Sequence, residues 1–278
     1  MRSFLYYILV GFFFVQCDKK VLPEGAIELP RKIRETSGLA TLNNQFLTFN
    51  DSGGKPALYA INPDGTGLTK HKITGAINRD WEDIAQDSTY FYIADMGNNF
   101  GYRKDLTIYI VQHDFSLVDS IKIRYESQKK FNKRKKHKYD AEAIMVYGDS
   151  LLLFSKNRKS HKTQLYIFPK KAGEYVLTKR KTFDVNALIT GGDYDHKTKK
   201  LVLTGYLPDY TQYIFKAEKF SLDKLDEVKM ERYPLAFENA QVEATKILDD
   251  GSVWISSEGE DVNVPFIYQV DFDKLQTP

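Results

Sequence analysis

The chain has 278 residues, 42% of them hydrophobic and 14% aromatic, with 18 Tyr and 18 Phe. That is enough apolar material for a sizeable core, and the aromatic weighting favours pleated, half-buried surfaces over helices. A formal charge of +3 is too small to mark a nucleic-acid binder, and no nucleic-acid partner is expected.

Residues 1–17 form a unit of their own. Arg2 supplies a positive start, Phe4 to Val15 is an uncharged apolar run, and Cys17 closes it before Asp18-Lys19-Lys20. About 12 apolar residues are too few to span a bilayer as a helix and fit a secretory signal. The segment resembles a bacterial lipoprotein signal, although Val15-Gln16 stands where such signals carry small residues. That resemblance implies cleavage before Cys17, acylation of the cysteine (palmitate among the chains), and a lipid bilayer as partner. The expected location is the bacterial envelope, as an exported outer-membrane lipoprotein. Cys17 is the one cysteine, so the rest of the chain needs no disulfide and offers no thiol chemistry.

A tether, 18–25, precedes one domain, 26–278. Residues 26–33 read as a single strand. From Ser37 onward, short apolar or alternating runs are bounded by Gly, Asn, Asp and Pro, the pattern of successive strands. The one helical candidate, Leu222 to Met230, is short. The units repeat. They open at Ser37, Glu82, Glu142, Gly191 or Gly192, and Glu243, at spacings of 45, 60, 50 and 51 residues counted to Gly192. Four strands at such a period are the mark of a β-propeller. In the third unit Tyr175-Val176-Leu177 is taken as the outer strand. The fifth unit has room for three strands, and residues 26–33 are expected to supply its fourth and close the ring. The expected fold is therefore an all-β, five-bladed, monomeric propeller. Six blades is the alternative if 113–139 or 206–240 hides another.

Propeller geometry brings the start of each inner strand and the end of each second strand to one central mouth. The openers above would meet Asp51, Asp95, Lys156, Tyr206 and Glu258 there, with Asp80, Asp83, Asp140 and Asp193 nearby. Crowded carboxylates raise one another's pKa or require a cation. Oxygen-only ligands suit a hard ion such as Ca²⁺. An Asp in turns such as Asp51-Ser52-Gly53-Gly54 commonly does no more than bond backbone N–H groups. A Glu repeated at a channel-facing strand start has no such packing use, so Glu82, Glu142 and Glu243 are the primary candidate ligands, with Asp95 a further one. Asp51, Asp83, Asp193, Tyr206 and Glu258 are candidate ligand-binding residues. If the chain is an enzyme, Glu82, Glu142 and Lys156 are the candidate catalytic groups.

The motifs Asp80-Trp81-Glu82-Asp83-Ile84-Ala85, Tyr92-Ile93-Ala94-Asp95-Met96-Gly97-Asn98, Asp140-Ala141-Glu142-Ala143, Gly191-Gly192-Asp193-Tyr194 and Ser256-Ser257-Glu258-Gly259 resemble a family of secreted bacterial propeller lipoproteins. More distantly they look like phytase-like and gluconolactonase-like propellers, whose sites are calcium-centred carboxylates on the axis. The resemblance implies a metal role for Glu82, Glu142 and Glu243. Two openers depart from the pattern, Ser37 and the blade-four glycines. Three functions follow as expectations: binding of an unidentified ligand or envelope protein at the acidic face through Ca²⁺, metal-dependent hydrolysis of phosphate esters or lactones, or a structural part in an envelope complex. The basic run Gln128 to Lys138 is expected over the same face, either as a solvated loop or as an arm for an anion. Asp51-Ser52-Gly53-Gly54-Lys55 resembles the serine segment of trypsin-like proteases, but no histidine precedes Ser52. The five histidines lack zinc-ligand spacing.

Overall fold

The computed structural model describes residues 22–237, 240–259 and 264–275. Residues 1–17, with Cys17, lie outside them. Five small sheets form a ring, the five-bladed β-propeller expected from the repeat. Blade 1 is Thr36–Leu42, Gln45–Asn50, Ala57–Ile61 and Thr69–Lys72. Blade 2 is Trp81–Gln86, Tyr90–Asp95, Thr107–Gln112 and Leu117–Tyr125. Blade 3 is Ala141–Tyr147, Ser150–Ser155, Thr163–Pro169 and Lys179–Phe183. Blade 4 is Leu188–Asp195, Lys200–Tyr206, Gln212–Ala217 and Glu231–Leu235, and blade 5 is Val242–Ile247, Val253–Ser257 and Phe266–Val270.

The apolar runs of the second strands follow from burial on both faces. Leu151 and Leu153 pack towards blade 2, beside Tyr92 and Ile108. Leu152 and Phe154 pack towards blade 4, beside Leu203 and Phe215. Successive side chains of a strand point to opposite faces, so a strand between two blades is apolar at every position. Trp81 and Ile84 belong to the cluster joining blades 1 and 2, where the Trp81 ring meets Phe49 edge-on at 5.4 Å.

The ring closes through the expected segment, but not as a single strand over 26–33, because Arg31–Ile33 is a 3₁₀ turn. Ile27–Glu28 is the fourth strand of blade 5, with Ile27 opposite Ile267 and Glu28 opposite Phe266. Leu29 N–H donates to the Pro265 carbonyl at 2.8 Å, and Leu29 and Ile33 are buried in the cluster between blades 5 and 1. Neither long connection adds a sixth blade among the described residues.

Two further expected elements differ. Gly173–Leu177 does not edge blade 3. It lies parallel to Leu117–Tyr125 as a fifth strand of blade 2, with Leu177 opposite Tyr125. Lys179–Phe183 takes the blade 3 edge instead. Leu177 is buried between blades 2 and 3, while Lys-Arg-Lys-Thr-Phe shows too little apolar pattern to announce a strand. Of Leu222 to Met230 only Leu222–Lys224 is helical, as a 3₁₀ turn. Leu222, Leu225, Val228 and Met230 still pack on blade 4, but so few residues cannot offset the cost of nucleating an α-helix.

Because Leu29 anchors the closing strand, Leu29→Ala should lower unfolding stability by about 2–5 kcal/mol. A shift of the urea midpoint at unchanged slope measures this, and a midpoint within error of the parent would show that closure does not depend on this contact.

Candidate functional site

In blades 2 to 5 the inner strand carries one extra residue against its neighbour. The pairing slips between Trp81 and Asp83, Ala141 and Ala143, Ile189 and Gly191, and Val242 and Ala244. The residues in these bulges are Glu82, Glu142, Thr190 and Glu243. A bulge re-aims a side chain and interrupts the ladder, so the three glutamates occupy equivalent places. The blade-four equivalent is Thr190, not Gly191 or Gly192. Its hydroxyl donates to the Val242 carbonyl at 2.6 Å. Gly191 is glycine because an added Cβ would sit 2.5 Å from the Glu243 carbonyl oxygen. In blade 1 the slip takes in Gly38 and Leu39, and the Ser37 hydroxyl donates to the Glu82 carbonyl at 2.6 Å.

The second strands are also offset from the sequence alignment. Asp95 lies opposite Trp81, as Ser155, Gly205 and Ser257 lie opposite Ala141, Ile189 and Val242. Lys156, Tyr206 and Glu258 come one residue later, and their blade-two counterpart is Met96, which is buried in the core. Asp95 is thus out of register with that ring. It pairs with Arg103 at 2.9 Å and accepts from Asp80 N–H at 3.1 Å, so it holds Asp80 in place.

The carboxylates converge. Oxygens of Asp51, Asp80 and Glu82 all lie within 4.8 Å of one another, and so do those of Glu82, Asp140 and Glu142. Glu82 belongs to both groups. Glu142 is paired with Lys156, and Arg158 reaches Asp140 at 2.6 Å and Glu142 at 3.5 Å. The Lys156 ammonium stands 5.0 Å over the Tyr206 ring. The Gln241 amide donates to Glu243 at 2.8 Å and to Glu258 at 2.9 Å, which joins those two carboxylates at the blade 5 side. Gly97 leaves the room that this crowding needs. A Cβ there would fall 1.9 Å from Glu82 Oε1 and 2.4 Å from Asp80 Oδ2.

Charge is balanced on one side only. Asp140 and Glu142 have Arg158 and Lys156. Among the described residues, Asp51, Asp80 and Glu82 have no cation within salt-bridge distance, and Asp51 Oδ1 is buried without a hydrogen-bond partner. Burial, with Asp80 and Glu243 beside it, pushes the Asp51 carboxyl up to about 7. Burial and the Asp140 charge push Asp80 to about 6. Burial and then the Glu142 charge hold Glu82 well above the carboxylate range. Burial opposes the charge on Lys156, but the Glu142 carboxylate in contact, with Glu243 behind it, keeps its ammonium charged above the ordinary lysine value.

Asp83 and Asp193 are placed differently. Asp83 accepts from its neighbour Ile84 N–H at 2.8 Å and from Ile144 N–H of blade 3 at 2.9 Å. Asp193 accepts from Tyr194 N–H at 2.9 Å, from Ile247 N–H of blade 5 at 2.9 Å, and from Lys246 at 2.8 Å. Both pin one blade to the next. Gln86 does the same between blades 1 and 2, accepting from Thr41 N–H at 2.7 Å. Sequence reasoning missed Arg158, Arg103 and Gln241, which come from loops with no repeat to flag them.

No protein-family model and no curated protein matches the chain. Solved structures share its fold. An exo-β-1,3-galactanase from Phanerochaete chrysosporium, solved with galactose, is similar at TM-score 0.55 and 10% identity, over 94% of this chain and 67% of that one. The GH43B protein of the Bacteroides ovatus xyloglucan locus is similar at TM-score 0.56 and 11% identity, over 88% of this chain and 54% of that one. Fold and site together define a five-bladed propeller with a cluster of acidic groups that could hold a metal ion at the meeting point of its inner strands.

The raised carboxyls set a pH dependence. Between the ordinary Asp value of 3.8 and the native values of about 7 and 6, the folded chain keeps protons that the unfolded chain has lost. In EDTA these groups therefore make stability fall as pH rises through that window, and level off above it. The urea midpoint of Asp51→Asn should vary less between pH 4 and about 7 than that of the parent; identical pH profiles would show that Asp51 is not strained by its neighbours.

Proposed function

We propose that the acidic mouth is a divalent-cation site and that the protein binds its ligand or partner there through the cation. The observation that carries this is the uncompensated side of the cluster. Asp51, Asp80 and Glu82 bring oxygens within 4.8 Å of one another, and no protein cation pairs with them among the described residues. Two carboxylates about 4 Å apart repel by about 4 kcal/mol at an effective dielectric of 20. A bound ion turns that repulsion into attraction and gives the buried Asp51 Oδ1 a partner. An all-oxygen donor set favours Ca²⁺. The motif resemblance to calcium-centred propellers supports the same ion. Glu142 is saturated by Lys156 and serves by orienting the second side, with Glu243 contributing field.

A second reading, hydrolysis, draws on the Asp51 carboxyl. At about 7 it holds a proton near neutral pH beside Asp80 at about 6, two carboxyls whose environments set them apart as general acid catalysis requires. Lys156 would then stabilise developing negative charge. Turnover of generic phosphoester or lactone substrates, lost in Glu82→Gln, is the result that would move the assignment to an enzyme. We further propose an envelope location through acylated Cys17, supported by the residue pattern of 1–17. Loss of radiolabelled palmitate incorporation in Cys17→Ser checks it.

Calcium at about a hundred times its Kd should add about 2.7 kcal/mol, a rise in Tm of about 5–10 °C for a chain of this size, reversed by EDTA. Glu82→Gln and Gly97→Ala should abolish the shift, the second by pushing a methyl group into the carboxylate oxygens. A parent protein whose Tm is unmoved by millimolar calcium, magnesium or manganese would exclude the cation site.

A further inference from the structure

The connection into blade 3 carries seven cations and no acid in the eleven residues 128–138. Among the described residues none of the seven forms a salt bridge. A merely solvated charge run needs no fixed shape, yet this one is tied to the turn that follows the second strand of blade 2. Arg134 N–H donates to the Phe100 carbonyl at 2.9 Å. The Gln128 amide donates to the Gly101 carbonyl at 2.9 Å, and His137 Nε2 meets the Asn99 carbonyl at 3.1 Å. Gly101, at φ +66°, admits the His137 ring, which an added Cβ would approach to 2.9 Å. The ammonium of Lys133 sits 5.2 Å over Tyr102, and that of Lys104 5.1 Å over Phe131. Like charges are thus gathered and held, a surface complementary to a polyanion.

Beside this surface lies a groove of about 680 Å³, whose lining includes Phe100, Tyr102, Arg79 and Arg103 (both paired with Asp105) and, at the mouth side, Asp80. Phe100 and Tyr102 are each 43% exposed. The groove joins the basic surface to the carboxylate cluster, of which Asp80 is a member. Its aromatic rings line a concavity with amide and carboxylate groups rather than projecting as an apolar face, which suits a discrete chain better than a bilayer.

We propose that the groove and the basic run bind an acidic oligosaccharide, a sugar chain bearing carboxylate or sulfate groups. The rings of Phe100 and Tyr102 take the C–H faces of the sugars. The cations of 128–138 face the acidic substituents, and the chain runs towards Asp80. This goes beyond the cation site and rests on that reading only for which end of the chain reaches the mouth.

The test is binding of oligogalacturonate and dextran sulfate to the full chain in EDTA, with neutral dextran as control. The acidic sugars should bind at least about tenfold more tightly than dextran and weaken as salt shortens the screening length. The triple variant Lys133→Glu, Lys135→Glu, Lys136→Glu should lose about tenfold or more. The double variant Phe100→Ala, Tyr102→Ala should lose about fivefold with its salt dependence unchanged. A cooperative thermal unfolding transition in EDTA, close to that of the parent, shows that both fold; where the triple variant fails that control, Lys135→Gln alone replaces it. Binding in EDTA reads the basic surface, and the Tm shift reads the mouth, so either proposal can fail without the other. Equal affinity for dextran, binding unchanged in the variants, or preference for vesicles of phosphatidylcholine and phosphatidylglycerol over the soluble acidic sugars would each overturn the assignment.

Discussion

Closing five blades into a ring forces five inner strands to begin around one axis. Everything at the mouth follows from that constraint. Side chains far apart in sequence, such as Asp51, Glu82 and Glu142, meet because their strands have nowhere else to start. The apolar clusters between blades supply the driving force, since burial of the second strands on both faces removes large areas from water. The polar mouth is the part of the ring where that force is absent, and there charge has to be balanced group by group.

Positioning is handled by residues that are not themselves exposed at the mouth. Asp83 reaches from the bulge of blade 2 to a backbone amide of blade 3, and Asp193 reaches from blade 4 to blade 5. Each fixes the rotation of one inner strand against the next. Asp95 and Arg103 lock Asp80 from behind. Leaving a buried N–H such as that of Ile144 unpaired costs about 1–3 kcal/mol, so these contacts are structural in their own right. The acidic motifs thus contain two kinds of carboxylate, one spent on blade geometry and one left facing its neighbours.

The repeat was legible because strand periodicity and opener spacing are local properties. The same holds for ring closure, since the run 26–33 has no local partner in sequence, although only Ile27–Glu28 of it pairs as a strand. What was not legible depends on register. A bulge adds a residue to one strand without a sequence mark, so Gly191-Gly192 looked like the counterpart of Glu82 while Thr190 holds that place. The same one-residue offset made Asp95 look equivalent to Lys156, whose true counterpart is Met96. Gly173–Leu177 was recognisable as a strand but not its partner, because pairing across blades is decided by where Leu177 finds a pocket. The basic run 128–138 was visible as charge, but its order rests on carbonyl groups of residues 99–101 that no pattern announces.

Blade 4 supplies an internal comparison that bears on why the glutamates are there. Its bulge residue is Thr190, satisfied by a hydrogen bond to the next blade, and the pairing slips at the same place as in blades 2, 3 and 5. Blade 1 passes through its own slip with Gly38 and Leu39. The architecture therefore accepts a small hydroxyl or no polar group at this place. Carboxylates at Glu82, Glu142 and Glu243 add desolvation and mutual repulsion that the fold does not require. One side of the cluster offsets this with Lys156 and Arg158. Such pairs roughly balance their own burial and are weak contributors to stability. The other side has no cation in salt-bridge contact among the described residues, and Gly97 keeps its carboxylates close rather than apart. If the proposed cation site is filled, the bound ion would recover the free energy that ionisation of these acids removes, and folding of the ring would then be coupled to occupancy of its centre.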